Sequence, residues 1–253
     1  MRLHEAFVVS GAIVALCVLG GCGMIKGKDD SFKDDSKTPH AASQNEIALA
    51  QQYIEDGKYE IALDRLQHAA RIDPNSADAY TMLGLLYEKI NRPEQAGASY
   101  AKSAKLAPEK GDILNNYGTW LCRSGHPDEA DSWFRKAIAD PFYKTPAAAL
   151  GNAATCAVKA GKPELAEGYD RQILAQDPGN ADALQTMALV QYQHGDYLRA
   201  RAFMERLLAA GKPDPEMLDL AARIEDKLGD RDAASGYRNR LSTEFPQYTS
   251  SQL

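Results

Sequence analysis

Histidine is the side chain that most readily exchanges a proton near neutral pH, so the histidines are the first candidates for chemistry. His68, His126 and His194 are far apart in the sequence, and the last two stand beside turn glycines, where a solvated histidine is expected. The chain has no Gly-x-Ser-x-Gly elbow, no His-Glu-x-x-His pair, no Walker loop and no Cys-x-x-Cys pair,. We therefore predict no catalytic residue, no metal site and no cofactor, and the protein is not expected to be an enzyme.

The charge balance argues against a nucleic-acid partner. The 253 residues include 29 Lys and Arg against 35 Asp and Glu, which gives a formal net charge of −6. The basic residues are scattered and do not form a patch that could follow a phosphate backbone. The length is sufficient for a sizeable core, and nothing in the composition indicates a small-molecule substrate.

The N-terminus reads as an export signal. The apolar run from Phe7 to Leu19 is too short to span a bilayer but fits a secretory signal,. It ends in Leu19-Gly20-Gly21-Cys22, which resembles the lipobox of bacterial lipoproteins. The resemblance implies that residues 1–21 are removed and that Cys22 carries the lipid; the alternative is an ordinary signal with a chance cysteine. Gly23 stands where an inner-membrane retention signal usually has Asp, which favours a lipid anchor at the periplasmic face of the outer membrane.

A polar segment follows the lipobox. Residues 22–42 contain almost no large apolar side chains and mix Lys, Asp, Ser and Gly. Such a segment cannot bury enough apolar surface to pack. We predict a flexible tether here, long enough to hold a folded domain roughly 25 Å from a membrane as a coil.

The stretch from Ala77 to Lys110 has the pattern of two short helices folded against each other. Apolar residues recur at a spacing of three and four up to Asn91-Arg92-Pro93, which breaks the pattern,. Pro93 suits the first position of a second helix, because its missing N–H would be unpaired there. The stretch resembles a tetratricopeptide repeat, whose period is about 34 residues.

The same pattern recurs along the rest of the chain. We predict an all-α, right-handed superhelical solenoid of six helix-turn-helix repeats, followed by a tail at 249–253. Glycine or asparagine stands at each turn, where it can take positive φ, so these residues are interpreted as structural and not as a phosphate loop. Thr145-Pro146 is an insertion between the third and fourth repeats. The predicted repeats cover residues 43–76, 77–110, 111–144, 147–180, 181–214 and 215–248.

Function in such a solenoid is expected on the concave surface, which the first helix of each pair lines. Polar side chains exposed there could bond the backbone of an extended partner, although a merely solvated groove is the alternative. Counting from the repeat starts, the candidate partner-binding residues are Thr81, Leu85, Glu88, Asn115, Asn116, Thr119, Arg123, Asn152, Thr155, Lys159, Gln185, Leu189 and Tyr192.

Two cysteines remain if Cys17 leaves with the signal and Cys22 is lipidated. Cys122 and Cys156 both fall late in the first helix of adjacent repeats, where stacked helices run side by side,. An oxidising periplasm would favour a disulfide between them, although two buried thiols remain the alternative.

The whole chain after Cys22 resembles the type IV pilus biogenesis and stability lipoproteins of the PilF/PilW family. The more specific parts of this resemblance are Asn115-Asn116-Tyr117-Gly118 and Gly151-Asn152-Ala153-Ala154. The fourth repeat departs from the pattern with Asp170 at an aromatic position, and the fifth repeat lacks the terminal proline. These departures weaken any transfer of partner contacts from the family.

The resemblance implies a pilotin, which uses its lipid to reach the outer membrane and binds secretin subunits so that they assemble there. Two other kinds of protein share an anchor and a groove. One is a periplasmic scaffold for cell-wall enzymes, and the other is an outer-membrane protein assembly factor. The sequence alone does not separate these three.

Overall fold

The computed structural model describes residues 38–249, and every regular element in this range is a helix. Its helices are α1 (Pro39–Glu55), α2 (Tyr59–Ile72), α3 (Ala77–Lys89), α4 (Pro93–Leu106), α5 (Gly111–Arg123), α6 (Pro127–Ala139), α7 (Pro146–Lys159), α8 (Pro163–Gln176), α9 (Ala181–Gln193), α10 (Tyr197–Ala210), α11 (Pro215–Leu228) and α12 (Arg231–Glu244). The predicted all-α array of six helix pairs is confirmed. Within the described range, no helix has both the length and the apolar character needed to cross a bilayer. The predicted signal peptide, Cys22 and the tether up to residue 37 lie outside the described residues.

Helix starts and turns follow the sequence signals closely. Proline occupies the first turn of six helices, including Pro93 in α4, where no backbone N–H is needed,. The residue that ends the turn between paired helices has positive φ in every pair, as at Gly57 (73°) and Gly229 (81°). In the second pair Asn91 takes this conformation with φ 55°. The structural interpretation of these turn residues is confirmed.

One boundary of the sequence analysis is wrong. The first helix begins at Pro39, before the start that we predicted at Ser43, so the predicted tether extends too far. Thr38 accepts a hydrogen bond from the backbone N–H of Ala41, and Pro39 stands in the first turn. Thr38 and Pro39 together form a helix start. The alignment of the repeats does not include it, because both residues precede the first repeat.

Contacts between helices give the array its curvature. Each odd-numbered helix touches the next odd-numbered helix, from α1 and α3 to α9 and α11. Within the described range, the backbones of consecutive even-numbered helices do not approach each other in this way, although the Tyr169 hydroxyl of α8 reaches Asp131 of α6 with a hydrogen bond of 2.6 Å. The odd-numbered helices are therefore closer together and form the inner wall, while the even-numbered helices spread apart on the outside.

The first five pairs each bury, beside a small residue of the first helix, a larger side chain of the second helix. Gly84 faces the Tyr100 ring, and a Cβ added at Gly84 would lie 2.8 Å from that ring. Gly118 faces Phe134 in the same way, at 2.9 Å. Where the small residue is alanine, the facing residue is not aromatic: the corresponding residues are Ala50 with Leu66, Ala154 with Asp170, Ala188 with Met204 and Ala222 with Arg238. The extra methyl group thus takes the space that a ring needs.

The last helix differs from the other even-numbered helices. Ala234 is the single buried residue of α12, whereas α10 buries Ala200, Met204 and Leu207. Arg238 stands where the other pairs bury a larger side chain, and it forms an ion pair with Asp226. The outer face of α12 is therefore polar, as expected of a terminal repeat.

The contact between Gly84 and Tyr100 makes a testable prediction. We expect Gly84→Ala to lower the free energy of unfolding by about 1–3 kcal/mol, because the new methyl group overlaps the ring. Adding Tyr100→Leu reproduces the alanine and leucine combination of the first repeat, so the double variant should lose less stability than the sum of the single variants. Urea unfolding followed by circular dichroism measures all three.

Gly168→Ala is the matched control. Gly168 is an exposed glycine within α8, and a Cβ added there meets no atom within 4 Å. Because glycine is a poor helix former, this variant should gain about 0.5–1 kcal/mol. Equal effects of the two substitutions would contradict the close-contact explanation.

Candidate functional site

The inner wall carries a polar network that joins the second and third repeats. The Tyr100 hydroxyl donates a hydrogen bond of 2.7 Å to Glu88 of α3, and burial raises the pKa of this tyrosine, which keeps its proton. Arg123 of α5 reaches back to the same carboxylate at 3.3 Å. Glu88 and Arg123 therefore have partners within the protein, although the side chain of Arg123 remains 61% exposed.

A second polar contact joins the third and fourth repeats. The side-chain amide of Asn152 on α7 donates a hydrogen bond of 3.0 Å to the side-chain oxygen of Asn115 on α5. The hydroxyl of Thr119 donates to the backbone carbonyl of Asn115 at 2.8 Å. The Asn152–Asn115 bond therefore links α7 to α5, whereas the Thr119 bond lies within α5.

Two residues that we expected on the exposed inner face are buried, so that part of the prediction is wrong. Thr81 is 8% exposed, and its hydroxyl lies 2.6 Å from the hydroxyl of Ser103. Asn115 is 9% exposed because the Asn152 amide covers its side-chain oxygen. A polar side chain at these positions forms a hydrogen bond to a neighbouring helix. The sequence pattern within one repeat does not reveal such a contact.

The other candidates keep some exposure on the odd-numbered helices. Leu85, Arg123, Thr155 and Lys159 are exposed, whereas Leu189 and Tyr192 are partly buried against the apolar cluster of the fifth and sixth repeats. The remaining candidates are partly exposed: Glu88, Asn116, Thr119, Asn152 and Gln185. Their partner-binding role stays a prediction.

A cavity of about 450 Å³ opens between the fourth and fifth repeats, and we call it the Asp170 pocket. Three of the candidates, Asn152, Thr155 and Gln185, lie in its lining. The other residues that line it are Ala147, Ala148, Gly151, Asp170, Ile173, Asn180, Asp182, Ala183 and Thr186. The volume is within the range of ligand-binding clefts in proteins.

The carboxylate of Asp170 is the unusual feature of this pocket. Asp170 is 1% exposed, and its Oδ2 atom is buried without a hydrogen-bond partner. Burial, together with the nearby Asp182 carboxylate, raises the pKa of Asp170 from 3.8 to about 7. A buried carboxylate without a partner is costly, so the fold maintains this group at the expense of stability.

The described residues show polar groups that could bind a partner, and the histidines have few neighbouring acids. Within residues 38–249, no group of three or more His, Cys, Asp or Glu side chains could hold a metal ion. The histidines at positions 68 and 194 are exposed and lie near single glutamates, at 3.2 Å from Glu46 and 3.4 Å from Glu164. The described surface therefore offers a groove with polar side chains and one deep acidic pocket.

Comparison with known proteins identifies the repeat type and the relatives. Models of the tetratricopeptide repeat match residues 157–224 and 77–110, and a third repeat model of the same kind matches residues 50–91. The chain is 26% identical to the type IV pilus assembly protein PilF of Pseudomonas aeruginosa over 238 residues, which cover 94% of each sequence. The crystal structure of PilW, described as a widely conserved type IV pilus biogenesis factor, superimposes with a TM-score of 0.73 at 29% identity, over 81% of this chain and 94% of PilW.

The chain is a tetratricopeptide-repeat homologue of PilF and PilW. The solved structure of Pseudomonas aeruginosa PilF agrees, with a TM-score of 0.72 at 26% identity over 83% of this chain and 95% of that one. The sequence-based assignment to the PilF/PilW family is therefore confirmed.

In the sequence of this PilF homologue, Asp170 stands out only as a departure from the repeat pattern and is not among the predicted site residues. We treated it as a missing aromatic residue that weakened the family resemblance. The signal was available, since an acid stood at a position that other repeats fill with Leu66, Tyr100, Phe134 or Met204. What the sequence did not show is that this acid lines an open cavity between the fourth and fifth repeats.

The cysteine pair of the PilF homologue lies between the third and fourth repeats. The structure pairs Cys122 of α5 with Cys156 of α7, and their Cα atoms lie 5.8 Å apart. This separation is within the range that disulfide bonds span. The bond itself stays a prediction for the protein as the cell produces it.

Alkylation decides between a disulfide and two thiols. We expect Cys122 and Cys156 to resist labelling by iodoacetamide in denaturant and to be labelled fully after reduction. The link closes a sequence separation of 34 residues, so its reduction should lower stability by about 3–4 kcal/mol in the chain-entropy model. Labelling of both cysteines without reductant would show that the bond is absent.

The raised pKa of Asp170 predicts that the free energy of unfolding falls as the pH rises. A raised carboxyl pKa means that the folded state binds the proton more tightly than the unfolded state, so the group favours folding at low pH. This contribution is lost as pH rises from the unfolded pKa of 3.8 towards about 7,. Relative to Asp170→Asn, the unmodified protein should therefore lose roughly 2–3 kcal/mol between pH 5 and pH 8.

Urea unfolding of both proteins at these two pH values measures the effect. The difference between the proteins isolates Asp170 from the other titrating groups, because the amide occupies nearly the same space without a charge. A difference that stays constant from pH 5 to pH 8 would contradict a buried, unpaired carboxylate.

Proposed function

We propose that this protein is a pilotin of the type IV pilus machinery, a lipoprotein of the outer membrane that promotes assembly of the secretin. The observation that carries the proposal is homology to PilF over nearly the whole of both chains. PilF is a type IV pilus assembly protein, and PilW is a pilus biogenesis factor. A relationship through a few generic repeats would leave most of one chain unmatched.

The curved array supports a role in holding another polypeptide. Exposed side chains on the odd-numbered helices, such as Thr155 and Lys159, can donate hydrogen bonds to an extended backbone,. The Asn115–Asn152 and Glu88–Arg123 contacts fix the helices from which these side chains project. A preformed wall lowers the conformational entropy that the protein itself must lose on binding.

The proposed mechanism is a binding event without bond chemistry. The lipid on Cys22 would hold the repeat array at the periplasmic face of the outer membrane. There the groove would retain an exposed segment of a secretin subunit until the subunits insert and multimerise. Several acyl chains, as on a mature lipoprotein, provide stable anchoring where one chain does not.

Deletion of the gene tests this role directly. Outer-membrane fractions should lose most of their heat-stable secretin multimers, and cells should lose surface pili. Complementation with the unmodified gene should restore both. Normal multimers and normal pili in the deletion strain would contradict the proposal.

A Cys22→Ala variant tests the anchor separately from the groove. It should keep the circular dichroism spectrum of the unmodified protein and bind secretin, but it should leave the multimers depleted in the outer membrane. Cross-linking pull-downs distinguish the alternatives. Recovery of peptidoglycan enzymes in place of secretin would favour a cell-wall scaffold, and broad loss of porins on depletion would favour an assembly factor.

A further inference from the structure

The Asp170 pocket contains a buried acid that no cationic side chain of its lining pairs with. Asp170 is almost fully buried, and one of its oxygens has no hydrogen-bond partner. None of the residues that line the pocket is Lys, Arg or His. The pocket therefore combines open volume with a carboxylate that lacks a cation.

The second repeat shows how the same position is usually filled. Tyr100 occupies it there, contacts Gly84, and directs its hydroxyl to Glu88. In the fourth repeat a ring is excluded because Ala154 replaces the glycine, yet leucine is accommodated beside alanine in the first repeat. An apolar side chain would fit this site, so the acid is not required by packing.

The polar groups around the carboxylate are distributed on two odd-numbered helices. Asn152 and Thr155 come from α7, and Gln185 and Thr186 come from α9. Asp182 adds a second carboxylate in the first turn of α9, where the helix dipole favours an acid,. A cation that entered the pocket would meet Asp170 at depth and amide or hydroxyl oxygens nearer the groove.

We propose that the Asp170 pocket receives an arginine or lysine side chain of an extended polypeptide that lies along the inner wall. This inference rests on the proposed function, which supplies the partner polypeptide. It adds that the partner segment must contain a basic side chain. A long basic side chain reaches a buried acid while its backbone stays in the groove. Charge-assisted hydrogen bonds to a buried carboxylate are among the stronger polar contacts in proteins.

A divalent cation fits the pocket less well. Calcium takes six to eight oxygen ligands at about 2.3–2.6 Å, which requires a compact cluster of acids. The pocket has two carboxylates in a volume of about 450 Å³, and no three-residue group suited to a metal occurs within the described range. The volume instead suits an organic side chain.

Protonation adds a readout that is specific to Asp170. Asp170 and Asp182 are the titratable residues in the lining; α7 contributes none, and Ile173 is the other residue from α8. Burial and Asp182 raise the pKa of Asp170 to about 7, so the free pocket is largely protonated at pH 6 and largely ionised at pH 8. Binding of a cation should release that proton, so affinity should be about tenfold weaker at pH 6 than at pH 8.

The test uses the full processed protein in detergent and two acetylated, amidated heptapeptides. One has the sequence Gly-Ser-Gly-Arg-Gly-Ser-Gly, and the other has citrulline, the uncharged isostere, in place of arginine. Titration followed by saturation-transfer NMR should give at least tenfold tighter binding of the arginine peptide at pH 8. Asp170→Asn should remove both this preference and its pH dependence.

The matched control is Asp64→Asn, which removes one negative charge from an exposed residue of α2 on the outer side. It should keep the preference for the arginine peptide. The inference would be overturned by equal binding of the two peptides, by no binding of either, by an unchanged preference in Asp170→Asn, or by binding of Ca²⁺ with neither peptide bound.

The peptide test is independent of the pilotin proposal. It contains no secretin, so its failure leaves the pilotin proposal standing. Normal secretin multimers in the deletion strain would in turn leave the pocket result unaffected.

Discussion

The close contact between a small residue on the first helix of each pair and a larger residue on the second sets the geometry of the whole array. Where the small residue is glycine, as at Gly84 and Gly118, an aromatic ring fills the space. Where it is alanine, the ring is absent. This contact sets how closely the two helices of a pair approach, and the contacts between successive odd-numbered helices then form the inner wall and its groove.

The Asp170 pocket arises from the same constraint. Ala154 stands where a glycine would admit a ring, and the fourth repeat has an acid in place of the leucine or methionine of other repeats, at the base of a cavity that α9 also lines. The exchange replaces apolar burial with an unpaired carboxylate, which lowers stability. Residues that reduce stability in a cleft are frequent at binding sites, because the group is positioned for a ligand and not for its neighbours.

The sequence was sufficient for the architecture because the repeat signals are local. Pro93 begins α4 and Asn91 takes positive φ before it, as the residue types suggest. The burial of inner-wall side chains was less predictable, because each of them can either face solvent or contact the adjacent helix. Asn115 is buried by an amide 37 residues away, and no pattern within a single repeat contains that contact.

The polar outer face of α12 limits how the array can grow. A stack of equivalent units exposes at its end the same kind of surface that joins one unit to the next, so a second molecule could attach there and continue the series. Because the exposed residues of α12 are polar or glycine, that face offers little apolar surface to a second molecule. Head-to-tail attachment of a second molecule to the outer face of α12 is therefore disfavoured.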